Sequence, residues 1–137
     1  NPGRLTVSYI NSANATFTGG SINGTTVGAT TRATGNFSTM TATSVVEDSS
    51  IVYKENVNPI TDALESILQL SGVTYDRKDG STQNEAGLIA EDVNKILPNL
   101  VAKNSDGNPD GINYTKLSAY LIEAVKTLKL EIEQLKR

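Results

Sequence analysis

The segment Gly87-Leu88-Ile89-Ala90-Glu91-Asp92-Val93-Asn94-Lys95-Ile96-Leu97-Pro98-Asn99-Leu100-Val101 decides the fold. Gly87 to Ala90 reads as a buried strand, and the chain then enters a helix that reaches Leu97. Pro98 stops that helix, because proline lacks the N–H donor and its ring clashes with the preceding turn. Leu100-Val101 resumes extended chain. Strand, helix and extended chain in so short a span mark a compact α/β unit.

Working upstream, Asn58-Pro59 reads as a helix start, with Asn as N-cap and Pro at the first helical position. Ile60, Leu64, Ile67 and Leu68 then fall on one face, and Ser71-Gly72 ends the helix. Val73-Thr74-Tyr75 predicts a short strand. The polar stretch from Arg77 to Glu85, with Asp79-Gly80 inside it, predicts a loop or hairpin tip. Downstream, Ser105-Asp106-Gly107-Asn108-Pro109 is a turn cluster. A final helix is expected over residues 114–136. Asp106-Gly107-Asn108 resembles part of a calcium loop but lacks the remaining ligands, so it reads as a turn.

The final helix carries a heptad seam. Tyr114, Leu121, Leu128 and Leu135 recur every seven residues, interleaved with Ser118, Val125 and Ile132. From Tyr114 to Ala124, the additional Leu117, Ile122 and Ala124 widen the face, as expected of a helix packed on its own domain. From Leu128 to Leu135 the seam is narrow, which predicts self-association.

The first 46 residues have different physics. More than half are Thr, Ser, Asn or Gly, and the only charges are Arg4 and Arg32. Apolar residues are isolated: Leu5, Val7, Ile10, Phe17, Ile22, Val27, Phe37, Met40 and Val45. Asn23-Gly24 predicts a tight hairpin turn, and Gly19-Gly20 and Gly35-Asn36 punctuate similarly. So little apolar surface cannot offset an ordering cost of ~1–2 kcal/mol per residue. The arm is therefore either disordered or folded by wrapping around copies of itself, and the spaced apolar beads favour wrapping. The charge boundary near Glu47-Asp48 divides a β-rich stalk end, residues 1–48, from a compact domain, residues 49–137. The fold class expected is α+β, with an intertwined β-stalk segment followed by a small mixed α/β domain and a long C-terminal helix.

Composition excludes several functions. The 137 residues include no Cys and no His. That removes thiol nucleophiles, the usual zinc sites and any Ser-His-Asp triad, and no cofactor or metal is expected. A net charge of −3 gives no footprint for nucleic acid. No apolar run is long enough to cross a bilayer, so no membrane partner is expected and the chain reads as soluble. The start at Asn1 shows no signal-peptide pattern and reads as a cut through a longer protein. Nucleophilic catalysis is then left to Ser or Thr with Lys or a carboxylate. The junction Val45-Val46-Glu47-Asp48-Ser49-Ser50-Ile51-Val52-Tyr53-Lys54-Glu55-Asn56-Val57 holds both kinds of residue. Burial of Lys54 among Ile51, Val52 and Tyr53 would desolvate the ammonium and favour the neutral amine. Composition alone equally allows a solvated strand here.

From Ser49 to Leu128 the sequence resembles the intramolecular chaperone auto-processing domain that closes phage endosialidase tailspikes, tail fibres and neck appendages. The same domain occurs in the animal myelin regulatory factor. The family pattern opens with Ser-Asp, a Lys five residues after the Ser, and Asn-Ile or Asn-Val, matched by Ser49, Lys54 and Asn56-Val57. A helix and an aliphatic-Tyr strand follow, matched by Ala63 to Leu70 and Val73-Thr74-Tyr75. The next blocks are matched by Gly87 to Val93 and by Leu97-Pro98-Asn99-Leu100-Val101. Tyr114 to Leu117 and Ile122 to Leu128 close the pattern. Ser50 departs from it, standing where the family has Asp. Residues 17–44 also look like the Gly-Thr-rich repeats of fibre stalks.

The resemblance implies a homotrimer whose client is its own N-terminal β-stalk. It also implies autoproteolysis, with Ser49 as nucleophile and Lys54 as general base of a Ser-Lys dyad. The bond cut would be Asp48–Ser49, with Ser49–Ser50 as the alternative. The fibre would belong to the virion, and the chaperone domain, made in the host cytoplasm, would be released. A non-cleaved trimerisation cap is one alternative. Another is a receptor-binding tip using the Asp79–Asn84 and Asn104–Pro109 loops. The spacing sets a geometric condition. In a straight strand, Ser49 and Lys54 would sit about 16 Å apart on opposite faces. A regular helical turn would instead bring Ser50 beside Lys54, which keeps Ser50 as a rival nucleophile. A Ser49–Lys54 pair needs a bend between them, a contorted precursor, or a second subunit.

Overall fold

A computed structural model describes residue 16 and residues 18–24, 26–27 and 34–137. The chain divides into two units, Asn1–Glu47 and Asp48–Arg137.

Among the described residues of the first unit there is no helix or strand, and all side chains are exposed. Ile22, Val27, Phe37, Met40, Val45 and Val46 find no cover in this single chain. Gly19, Gly20 and Gly24 adopt positive φ, the conformation a turn requires and only glycine takes without cost. The expected tight hairpin at Asn23-Gly24 is a correction: Gly24 takes positive φ within a bend, Asn23 does not, and no ladder pairs flank them among the described residues. The positions Leu5, Val7, Ile10 and Phe17 lie outside the described residues.

The second unit opens with a 3₁₀ turn at Ile51–Tyr53. Helix α1 spans Ala63–Leu68. It starts later than Asn58-Pro59 predicts. The Asn58 side chain donates back to the Asn56 carbonyl at 2.7 Å, so its amide is engaged behind the helix and not at a cap. Asp62, at φ 54, directly precedes α1.

Strands β1 (Val73–Tyr75) and β2 (Glu85–Gly87) form an antiparallel hairpin with Val73 opposite Gly87 and Tyr75 opposite Glu85. The expected buried strand through Ala90 is a correction. β2 ends at Gly87, Ile89 is 40% exposed, and α2 spans Ala90–Ile96. A two-stranded sheet has no second layer to bury those residues fully.

Pro98 breaks the chain as expected, into a 3₁₀ turn at Pro98–Leu100. β3 (Val101–Lys103) pairs antiparallel with β4 (Pro109–Ile112) across a turn in which Gly107 has φ 81. Helix α3 spans Tyr114–Leu135, capped by Asn113, whose side chain accepts from the Lys116 N–H.

The core is small. Val93, Leu97 and Leu100 form its buried centre, and Leu70, Leu88, Ile96, Val101, Ile112, Leu117 and Tyr120 pack around them. Each fully buried side chain of this kind contributes ~1.5–3 kcal/mol. α3 shows the expected change of character along its length. Leu117, Tyr120 and Ala124 face the domain, whereas Val125, Leu128, Ile132 and Leu135 are exposed. Ile122 is a correction: it is 56% exposed and does not widen the inward face.

Candidate functional site

The residues between Ser49 and Lys54 do not continue a strand. Tyr53 N–H donates to the Ser50 carbonyl at 3.1 Å and Lys54 N–H to the Ile51 carbonyl at 3.0 Å. These two bonds close the 3₁₀ turn and bend the chain. The Lys54 Nζ then lies 2.8 Å from the Ser49 Oγ. The bend supplies the geometry within one chain, without a second subunit. Ser50 faces elsewhere: its Oγ accepts the Val52 N–H at 3.4 Å. Asp48, whose carbonyl carbon is bonded to the Ser49 nitrogen, is the first residue of the second unit.

The pair is open to water. Ser49, Ser50 and Lys54 are exposed. Ile51, Val52 and Tyr53 are 68%, 76% and 72% exposed, so the expected apolar burial of Lys54 is absent in the single chain. Two residues past the lysine, Asn56 takes the left-handed conformation at φ 52, which Asn tolerates better than most residues.

A second polar cluster sits at the β1–β2 hairpin. Arg77 Nε donates to Glu85 at 3.0 Å and Thr82 Oγ1 donates to it at 2.7 Å. These donors, Arg77 foremost, hold the Glu85 carboxyl down at about 2. Asp79 accepts from the backbone and hydroxyl of Ser81, which lowers its carboxyl as well. This network orders the tip that the sequence shows only as a polar loop. The tie between α3 and the end of β2, through the Tyr114 hydroxyl and the Leu88 N–H at 2.8 Å, has no local sequence signal either.

Residues 49–102 match the family model described as chaperone of endosialidase. The match begins at Ser49 itself. The chain is 31% identical over 106 residues to the long tail fiber protein Gp37 of Enterobacteria phage K3 and to that of Enterobacteria phage T2. Each alignment covers 72% of this chain and 8% of the relative. It is 37% identical over 81 residues to the long tail fiber protein Gp37 of Enterobacteria phage M1, covering 54% of this chain and 32% of that protein. This chain thus corresponds to a small fraction of the relatives it matches. A segment of the chaperone of endosialidase kind thus occupies residues 49–102.

Proposed function

We propose that this chain gathers three copies of itself, chaperones the folding of a phage tail-fibre β-stalk whose end is residues 1–48, and then cuts itself beside Ser49. The observation that carries the cutting is the 2.8 Å contact between Lys54 Nζ and Ser49 Oγ at the first residue of the family match.

The reaction is a single intramolecular turnover. The neutral Lys54 amine takes the Ser49 Oγ proton, and the Oγ attacks the Asp48 carbonyl carbon. The Asp48–Ser49 C–N bond breaks, and the proton passes from Lys54 to the departing Ser49 nitrogen. Water then hydrolyses the ester on Ser49 Oγ, leaving an Asp48 carboxylate and a free Ser49 amine. The tethered substrate replaces a binding step with high effective molarity.

Assembly supplies what the single chain lacks. The outward α3 face of Val125, Leu128, Ile132 and Leu135 is apolar and open, and a shared seam would bury it. The exposed Ile51, Val52 and Tyr53 would gain cover from neighbouring subunits and exclude water from Lys54, so cutting would follow assembly. Stalks that rely on inter-chain pairing fold slowly and fall out of register. A domain that trimerises first fixes register and raises local concentration.

The water-exposed dyad also favours a second reading, a trimerisation cap that stays on the fibre uncut. The mass of the full-length product separates the two. Under the first reading wild type yields two fragments and Ser49→Ala one intact chain. Intact, uncut chains from both would leave the cap.

A further inference from the structure

We propose that Ser50 is a positioning residue for the Ser49–Lys54 pair, acting as the cap of the turn that brings them together; this rests on the self-cleavage reading above. The turn is a single 3₁₀ turn, Ile51–Tyr53, with no buried residue. Packing within the chain therefore does not hold it, and its local hydrogen bonds decide whether it forms. The first N–H groups of any helical turn lack partners inside the turn. Here the Val52 N–H is taken by the Ser50 Oγ at 3.4 Å, while Ser50 itself stays extended at φ −64 and ψ 146, the backbone of an N-cap. The Ser50 carbonyl also accepts the Tyr53 N–H at 3.1 Å. Ser50 thus contributes two of the bonds that convert a strand into a bend. Without that bend Ser49 and Lys54 diverge to about 16 Å.

This accounts for the departure from the family pattern. Asp, Asn and Ser are nearly equivalent as N-caps, whereas Ala is poor. An Asp at this position would offer the same kind of capping oxygen, so Ser50 can replace it in that role. The same engagement disqualifies Ser50 as the nucleophile, since Lys54 reaches Ser49.

The test follows cleavage of the full-length chain in wild type, Ser50→Ala, Ser50→Asn and Ser50→Asp, with the melting temperature and the exchange of the Val52 amide read by NMR. Ser50→Ala is expected to slow cleavage about five- to tenfold, at an unchanged melting temperature and with faster Val52 exchange. Ser50→Asn and Ser50→Asp are expected to restore both the rate and the exchange. A wild-type rate in Ser50→Ala overturns the proposal, as does an Asn variant as slow as Ala. Abolished cleavage that neither Asn nor Asp restores would make Ser50 the nucleophile and overturn it equally. If wild type and Ser49→Ala both stay intact, the cleavage reading fails on its own. The amide then decides the capping claim: faster exchange in Ser50→Ala supports it, and unchanged exchange overturns it.

Discussion

The Tyr114 hydroxyl accepts the Leu88 N–H at 2.8 Å, joining the first residue of α3 to the chain just beyond β2. Leu88 packs against the core and has left the β1–β2 ladder, so Tyr114 supplies its partner. Tyr114→Phe removes that acceptor and is expected to destabilise the domain by ~1 kcal/mol, read as a lower urea midpoint.

Gly87 is held small by the same contact. A Cβ there would lie 2.9 Å from the Tyr114 hydroxyl and 3.2 Å from the Tyr75 ring. Gly87→Ala is expected to cost ~1–3 kcal/mol by overpacking. In a Tyr114→Phe background the penalty is expected to shrink, because one of the two obstacles is gone. A double-mutant cycle by denaturant unfolding measures the coupling.

Glu85 gives the hairpin an acid-sensitive element. Its carboxyl, ordinarily near 4.5, is held at about 2 by Arg77 first and Thr82 next. A depressed carboxyl contributes stability that is whole above its unfolded value and lost as pH falls through the folded one. The loss is therefore expected between about pH 4.5 and pH 2. Glu85→Gln is expected to flatten that limb in a series of urea midpoints, with little change in its slope elsewhere. Because the ion pair is partly exposed (53% for Arg77, 34% for Glu85), salt is expected to weaken it.

The chemistry assigned to Lys54 requires an amine that can be neutral. Lys54→Arg keeps a cation but cannot act as a base, since guanidinium stays protonated. It is expected to abolish cleavage as fully as Lys54→Ala, by product mass.

The outer face of α3 tests assembly separately. Leu128 is 45% exposed in the single chain, on the same strip as Val125 and Ile132. Leu128→Glu is expected to reduce the sedimenting mass of wild type towards one chain, because three carboxylates would meet at the seam. An unchanged mass would place the interface elsewhere.

Much of the second unit was legible because its signals are local. Val73-Thr74-Tyr75, the break at Pro98 and the helix from Tyr114 all follow from residue type and spacing, and the structure has them there. β4 was not legible. Pro109-Asp110-Gly111 has poor strand propensity, and pairing with β3 imposes the extended form, with a register shift near Ala102 and Lys103. Asn58-Pro59 misled because a side chain able to cap can instead bond backwards, as Asn58 does to Asn56. For the site, the sequence supplied Ser49 and Lys54 but not their meeting. A five-residue separation fits neither a straight strand nor a regular helix, and one turn of 3₁₀ helix is too short to have a periodicity.

Helix α3 has two clients, its own domain through Leu117, Tyr120 and Ala124, and open solvent through Leu128 and Ile132. Any neighbour that docks on the second side also braces the first, since one rod carries both. If copies of this chain meet on that side, as proposed, folding and association share a single free energy, and the heat tolerance of the domain is expected to climb with protein concentration. Diluted far enough, such a polypeptide would become a softer object.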